Sequence, residues 1–371
     1  MASVLGNAEN LLSSGRQTSV RLGLSYVLDW IVILVVAGVG GLLYKITGFT
    51  HAFSLEDSSI SYPLVSDTVS ITVVGIVACG VPAVVILVLS LLIPSSTIQA
   101  SSQDSHRGTW GFRLWEWHAG WLGLALSLAG AFFITSGLKD VVGKPRPDFL
   151  ARCDPDLSNV AAHVVGGLGL RQSSAAIMVS TGICQNTDAS VVKNGFAAFP
   201  SGHSSFSFAG LLYLSLWLSA KFAVTFPIPF RAASRRSEED APTPSSDNHA
   251  SFRSSAAAPP LYLLLLVLAP IAVALFICAT RYADYMHAGW DIMGGSVIGS
   301  FFAWLGFGWY HISPRDGQSC GSPAWAWAPR STRGAFGVPF GSPSFGRYED
   351  AKREGRTSPR GYVDLELGRM S

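Results

Sequence analysis

Six apolar runs, at about 24–44, 70–93, 118–138, 204–226, 261–280 and 291–311, constrain this chain more than any other feature. Each is close to the ~20 residues that cross the hydrocarbon layer as a helix. Inside lipid a backbone must satisfy its own N–H and C=O groups, and unbroken apolar runs of this length do so as helices. The fold class that follows is an all-α membrane protein with about six transmembrane helices. Composition agrees: 13% of residues are charged, against about 25% in an ordinary soluble domain. A net charge of +2 gives no reason to expect a nucleic-acid partner, so the bilayer is the first partner implied. Residues 1–20 are polar, and the run after them has full-span length with no small-residue cleavage site, so it reads as an anchor.

Lysine and arginine set the orientation. With the N-terminus in the cytoplasm, the cytoplasmic side carries Arg16, Arg21, Arg107, Arg113, Lys221, Arg231, Arg235, Arg236, Arg253 and nine more after residue 312. The other side carries Lys45, Lys139, Lys144, Arg146, Arg152, Arg171, Lys193 and Arg281. The bias places both termini inside. The organisation expected is a cytoplasmic tail over 1–20, a six-helix domain over 21–312 and a C-terminal tail over 313–371. The long 139–203 loop falls on the far side. The loop 227–260 and the tail are rich in Ser, Pro, Gly and Arg without apolar periodicity, and read as disordered. Asp29 reads as an interfacial cap or snorkelling acid, and Trp110, Trp115, Trp117 and Trp121 as an interfacial belt where the third helix enters.

Three polar clusters remain: Lys139 to Pro147 at the exit of the third run, Pro200-Ser201-Gly202-His203 at the entry of the fourth, and Thr280 to Asp291 between the last two. Helix alternation brings all three to one membrane face. Lys139, Arg146 and Arg281 are then three fixed positive charges suited to a phosphate dianion and its transition state. Ser201 and Gly202 open a helix, where the hydroxyl and backbone N–H groups can meet phosphate oxygens. If the 280–291 segment ends helical, His287 and Asp291 are i,i+4 neighbours, and a carboxylate beside a histidine fixes its tautomer and raises its nucleophilicity. His287 therefore suits attack on phosphorus, and His203 suits proton transfer to the leaving oxygen and then from water. Lys144, Arg152 and Arg171 read as structural or solvated. A metal held by His203, His287 and Asp291 is disfavoured, because a pocket rich in Lys and Arg repels a cation. The five cysteines form no CxxC or zinc pattern.

With these clusters in view, the chain resembles the type 2 phosphatidic acid phosphatase (PAP2) superfamily, especially its fungal diacylglycerol pyrophosphate/phosphatidate phosphatase branch. The family pattern K-x6-RP, PSGH and SR-x5-H-x3-D matches Lys139 with Arg146-Pro147, then Pro200 to His203, then Arg281, His287 and Asp291. The one departure is Thr280 for serine, which keeps the hydroxyl. The segment Asp57 to Pro63 also looks like this branch. The resemblance implies a helical core like that of the acid phosphatases and haloperoxidases. It implies hydrolysis of lipid phosphates such as phosphatidate, diacylglycerol pyrophosphate and lysophosphatidate, with no metal cofactor, through a phosphohistidine on His287. The pocket would face the lumen or cell exterior. Relatives acting on a sphingoid-base phosphate or polyprenyl diphosphate share the motifs, because the motifs read phosphate and not the tail. From other classes, a non-catalytic scaffold and a transporter are the alternatives; filled motif positions argue against the first, and few polar groups within the spans against the second. Vacuole, Golgi, endoplasmic reticulum and plasma membrane all fit. On an oxidising side, Cys153 and Cys184 are expected to bond across the long loop.

Overall fold

The structure, a computed structural model, describes residues 2–93, 106–172, 175–222, 224 and 260–311. The expected disordered loop, apart from Pro260, and the tail 313–371 lie outside the described residues. Residues 27–329 form one compact unit, which holds the candidate site and every helix below except the beginning of the first. Of the other unit, 1–26 with 330–371, the described part is the beginning of the first helix.

The helices are α1 (Ala2–Lys45), α2 (Ile71–Leu92), α3 (His106–Val142), the short α4 (Phe149–Cys153) and α5 (Ala189–Gly195), α6 (202–221), α7 (Leu261–Ala283) and α8 (Gly289–Tyr310). The polar stretch ahead of the first apolar run is thus helical too. Among the described residues five stretches, Gly23–Lys45, Ile71–Leu92, Arg113–Val142, Leu261–Ala283 and Gly289–Tyr310, are long and apolar enough to cross a membrane. The fourth apolar run differs. It folds as Gly202–Ser207, a π turn at Phe208–Leu212, and Tyr213–Lys221. This helix is central, packed against α3, α7 and α8. Two of its buried serines are tied to neighbouring helices: Ser215 donates to the Val267 carbonyl at 2.6 Å, and Ser205 meets Thr135 at 2.8 Å. It closes on Lys221, which donates to both oxygens of Glu116 at 2.8 and 2.9 Å in a buried pair. Outer helices do the opposite, and α1 turns Leu34 and Leu42 outward, as lipid-facing residues must.

Close approach of α8 to α6 sets the site. A Cβ added at Gly295 would overlap the Ser201 carbonyl oxygen and sit 3.2 Å from the Ser205 nitrogen. Gly295→Ala is therefore expected to cost about 1–3 kcal/mol of stability through overpacking. Its thermal unfolding in detergent should shift down by several degrees, and an unshifted transition would show that the two helices can separate freely.

The long loop is not irregular. It carries α4, α5 and strands β2 (Val164–Gly166) and β3 (Met178–Val179), which join β1 (Phe53–Ser54) in an antiparallel sheet of order β1-β3-β2 with Phe53 opposite Val179. Phe53, Ile60, Phe149, Val179, Ile183 and Phe196 form a small separate core beneath it, and the expected disulfide Cys153–Cys184 is present there. Long-range pairing between the 53–60 segment and the loop is what converts a connector into a packed layer.

Candidate active site

The C-termini of α3 and α7, the N-termini of α6 and α8 and the segment before α2 meet at one end of the bundle, and all three polar clusters come together there. α3 stops at Gly143, whose φ is +55°; a side chain there would overlap the Phe49 carbonyl, so glycine is required for the left-handed residue that ends the helix. The stop leaves Lys139 in the last turn and directs Arg146 back toward α5, where its N–H meets the Gly195 carbonyl at 2.8 Å.

His287 lies in the turn between α7 and α8, ahead of the helix that starts at Gly289. The helical i,i+4 relation to Asp291 therefore does not exist, and Asp291 does not hold the imidazole. Nδ1 of His287 lies 2.7 Å from the Ala198 carbonyl oxygen. A carbonyl only accepts, so Nδ1 carries the hydrogen and Nε2 carries the free lone pair. Asp291 is fully buried and does other work: it accepts from Lys144 Nζ at 2.7 Å and from the Ala288 N–H at 2.9 Å, capping α8. Its backbone carbonyl takes the Ser201 N–H at 2.9 Å. Lys144, read from sequence as structural or solvated, thus belongs to the frame of the site.

The three expected cations divide into two kinds. Arg281 is buried and already paired, with Asp67 at 2.9 Å and Asp284 at 2.6 Å. Arg146 has no carboxylate partner among the described residues: one guanidinium nitrogen reaches the Met286 sulfur at 3.2 Å, and its Nε is buried without a partner. Burial, and then the neighbouring Arg152, pull its pKa down to about 10, which leaves it charged at neutral pH. The Lys139 ammonium donates to the Ala197 carbonyl and likewise lacks a carboxylate partner among the described residues. Both cations act on the His287 ring: burial first, then Arg146 and Lys139, hold it well below the usual histidine pKa. Arg152 is different again, closed in a bidentate pair with Asp148 at 2.9 and 2.6 Å.

His203 stands one residue ahead of the fourth apolar run. Its Nε2 lies 3.2 Å from the Val69 carbonyl oxygen, so Nε2 donates and Nδ1 is left to exchange a proton. Ser201 is fully buried, and its hydroxyl caps α6 by accepting from the Ser204 N–H at 3.4 Å. With its N–H also taken, Ser201 shapes the helix start through its hydroxyl oxygen, which accepts from Ser204. Gly202 and His203 are the first residues inside α6, whose N–H groups find no partner one turn back. A Cβ on Gly202 would come 3.8 Å from Lys139 Cε, so the first turn of α6 lies against the lysine. Among the described residues, no group of three or more His, Cys, Asp or Glu is placed to hold a metal.

Sequence reasoning missed Asp67, Asp284, Val69 and Ala198. Asp284 sat inside a polar cluster and was visible in kind. Asp67 comes from a remote segment, and backbone carbonyls carry no residue signature at all.

Comparison with known proteins gives the same picture from another direction. The chain is 29% identical to lipid phosphate phosphatase 2 of Arabidopsis thaliana over 312 residues, 84% of this chain and 86% of the relative. It is 29% identical to a probable diacylglycerol pyrophosphate phosphatase 1 of Schizosaccharomyces pombe, over 69% of this chain and 71% of that one. A PA-phosphatase related-family protein of Dictyostelium discoideum is 30% identical over 75% of this chain and 68% of its own length. No solved structure matches. The sequence pattern of the PAP2 superfamily matches residues 120–315, which contain every motif residue gathered at this end of the bundle, and the chain belongs to that superfamily.

Proposed function

We propose that this membrane phosphatase hydrolyses phosphatidate and diacylglycerol pyrophosphate, and lysophosphatidate with them, without Mg2+ and through a phosphohistidine on His287. The observation that carries this reading is the pair of cations, Arg146 and Lys139, that lack carboxylate partners among the described residues and flank the His287 ring. A sequestered cation without an anion is costly unless an anionic ligand completes it, and a phosphate dianion is an anion that would complete both. Arg281 and the free N–H groups at the start of α6 supply further donors toward the same space.

The chemistry follows from the tautomers. The Nε2 lone pair of His287, presented because Ala198 holds Nδ1–H, attacks phosphorus in line with the lipid oxygen. The P–O bond breaks, and a protonated His203 gives its Nδ1 proton to the leaving oxygen. Water then loses a proton to His203, attacks phosphorus, and releases inorganic phosphate from His287. The Cys153–Cys184 disulfide lies at the same end as the site, which supports a pocket facing the lumen or exterior and both termini in the cytoplasm.

The test is phosphate release by the purified protein in detergent with excess EDTA, offered phosphatidate, diacylglycerol pyrophosphate, lysophosphatidate, sphingosine phosphate and a polyprenyl diphosphate. Turnover of the glycerolipids above the others is expected. Preference for a sphingoid or polyprenyl substrate would reassign the substrate, release only on adding Mg2+ would overturn the metal-free mechanism, and no release at all would favour a scaffold.

A further inference from the structure

Three consecutive residues ahead of α2 each grip a different part of the site. Asp67 pairs with Arg281 at 2.9 Å. Thr68 donates to Asp284 through its N–H at 2.9 Å and its hydroxyl at 2.6 Å, and Asp284 takes the other end of the Arg281 guanidinium at 2.6 Å. Val69 offers its carbonyl to His203 at 3.2 Å. None of the three belongs to the motifs that define the site. Their segment has no local reason to lie here, since Asp67 is more than two hundred residues from Arg281 in the chain.

We propose that Asp67 is a positioning residue for proton transfer: its carboxylate offsets Arg281 beside His203, so that His203 can carry the proton it delivers to the leaving oxygen. The inference rests on the role given to His203 above. The groups that face His203 are Arg281 from α7, Arg146 from the α3–α4 connection, Asp67 from the segment before α2 and His287 from the α7–α8 turn. Three of these are cationic or become so, and Asp67 is the one carboxylate among them. Burial and then Arg281 push His203 down to about 4, while Asp67 and the Val69 carbonyl act against them. A general acid held that low is unprotonated at neutral pH. An arriving phosphate dianion raises it, and so does a permanent carboxylate; removing the carboxylate leaves the dianion to do this alone. Asp67 also fixes the Arg281 guanidinium from one side while Asp284 fixes it from the other, so the arginine's plane is set before substrate binds.

The sign is definite. A proton donor works below its pKa, so loss of a nearby negative charge moves the alkaline limb of kcat to lower pH. Asp67→Asn is expected to shift that limb by about one pH unit, leaving kcat near wild type on the acid side and about tenfold lower beyond the limb. Asp67→Glu should keep the limb in place. Thr68→Ala, which loosens the segment without changing charge, should lower kcat by one factor at every pH. Asp67 is half-exposed, so asparagine fits; if that variant does not fold, Asp67→Ser makes the same charge change and the same limb is read. Asp67→Asn behaving as Thr68→Ala does, with a uniform loss and an unmoved limb, overturns the inference and makes Asp67 a strut. Wild-type protein that releases no phosphate overturns the proposed function itself, a result the wild-type arm reports separately.

Discussion

His287→Ala is expected to reduce phosphate release by about four orders of magnitude or more, because removing a covalent nucleophile removes both chemical steps at once. The substitution leaves the Ala198 carbonyl without its donor in a buried place, so a stability loss of about 1–3 kcal/mol accompanies it. That loss is small enough for the variant to be purified and its fold checked. The direct reading is acid-labile, alkali-stable labelling of the protein after a quench with labelled phosphatidate: label on wild type and none on His287→Ala. Label retained in the variant would move the nucleophile elsewhere. The pH profile is a second arm. Burial, then Arg146 and Lys139, hold the His287 pKa well below its usual value, and the nucleophile is the neutral ring. Lowering the pKa keeps it neutral at more acidic pH, so the acid limb of kcat/KM is expected well below pH 6.5. The same shift works against folding in acid. Below the ordinary histidine pKa the unfolded chain takes up a proton that the folded ring refuses, so stability falls as pH drops through about 6.5 toward the lowered value.

Arg146→Met should separate function from stability in opposite directions. Taking away a cation aimed at developing phosphate charge is expected to lower kcat/KM by about 10²–10³. Because that cation has no carboxylate partner among the described residues and its Nε is buried without any partner, replacing it with an apolar side chain of similar length relieves a desolvation cost. The unliganded protein should therefore be as stable as wild type or more so, by about 1–4 kcal/mol. Two further readouts belong to this variant. Inorganic phosphate or vanadate, which should raise the wild-type unfolding temperature by mass action, should raise that of the variant much less. The acid limb assigned to His287 should also move to higher pH, since Arg146 is the largest charge holding it down. An arginine with a purely structural role predicts the reverse: lost stability, with kcat/KM little changed in the folded fraction.

Run length and residue order alone determined a helical membrane fold, the gathering of three polar clusters at one end, and the superfamily. Those follow from local rules, since a backbone in lipid must be helical and alternate helices put alternate loops on one side. The disulfide was legible too, because Cys153 and Cys184 share one loop. Tertiary structure decided who touches whom. Asp291 looked like the partner of His287 by spacing, but α8 begins two residues too late for that spacing to act, and Asp291 turns to Lys144 and the helix cap. The carbonyls of Ala198 and Val69, which set the two histidine tautomers, are backbone groups that any residue provides, so no sequence pattern could have marked them. Arg146 and Arg281 are the same residue type in equivalent-looking motifs. Only the fold brings Asp67 into a pair with one and leaves the other without a carboxylate partner among the described residues, because charge is written in the sequence, whereas whether it is neutralised depends on what long-range packing places beside it.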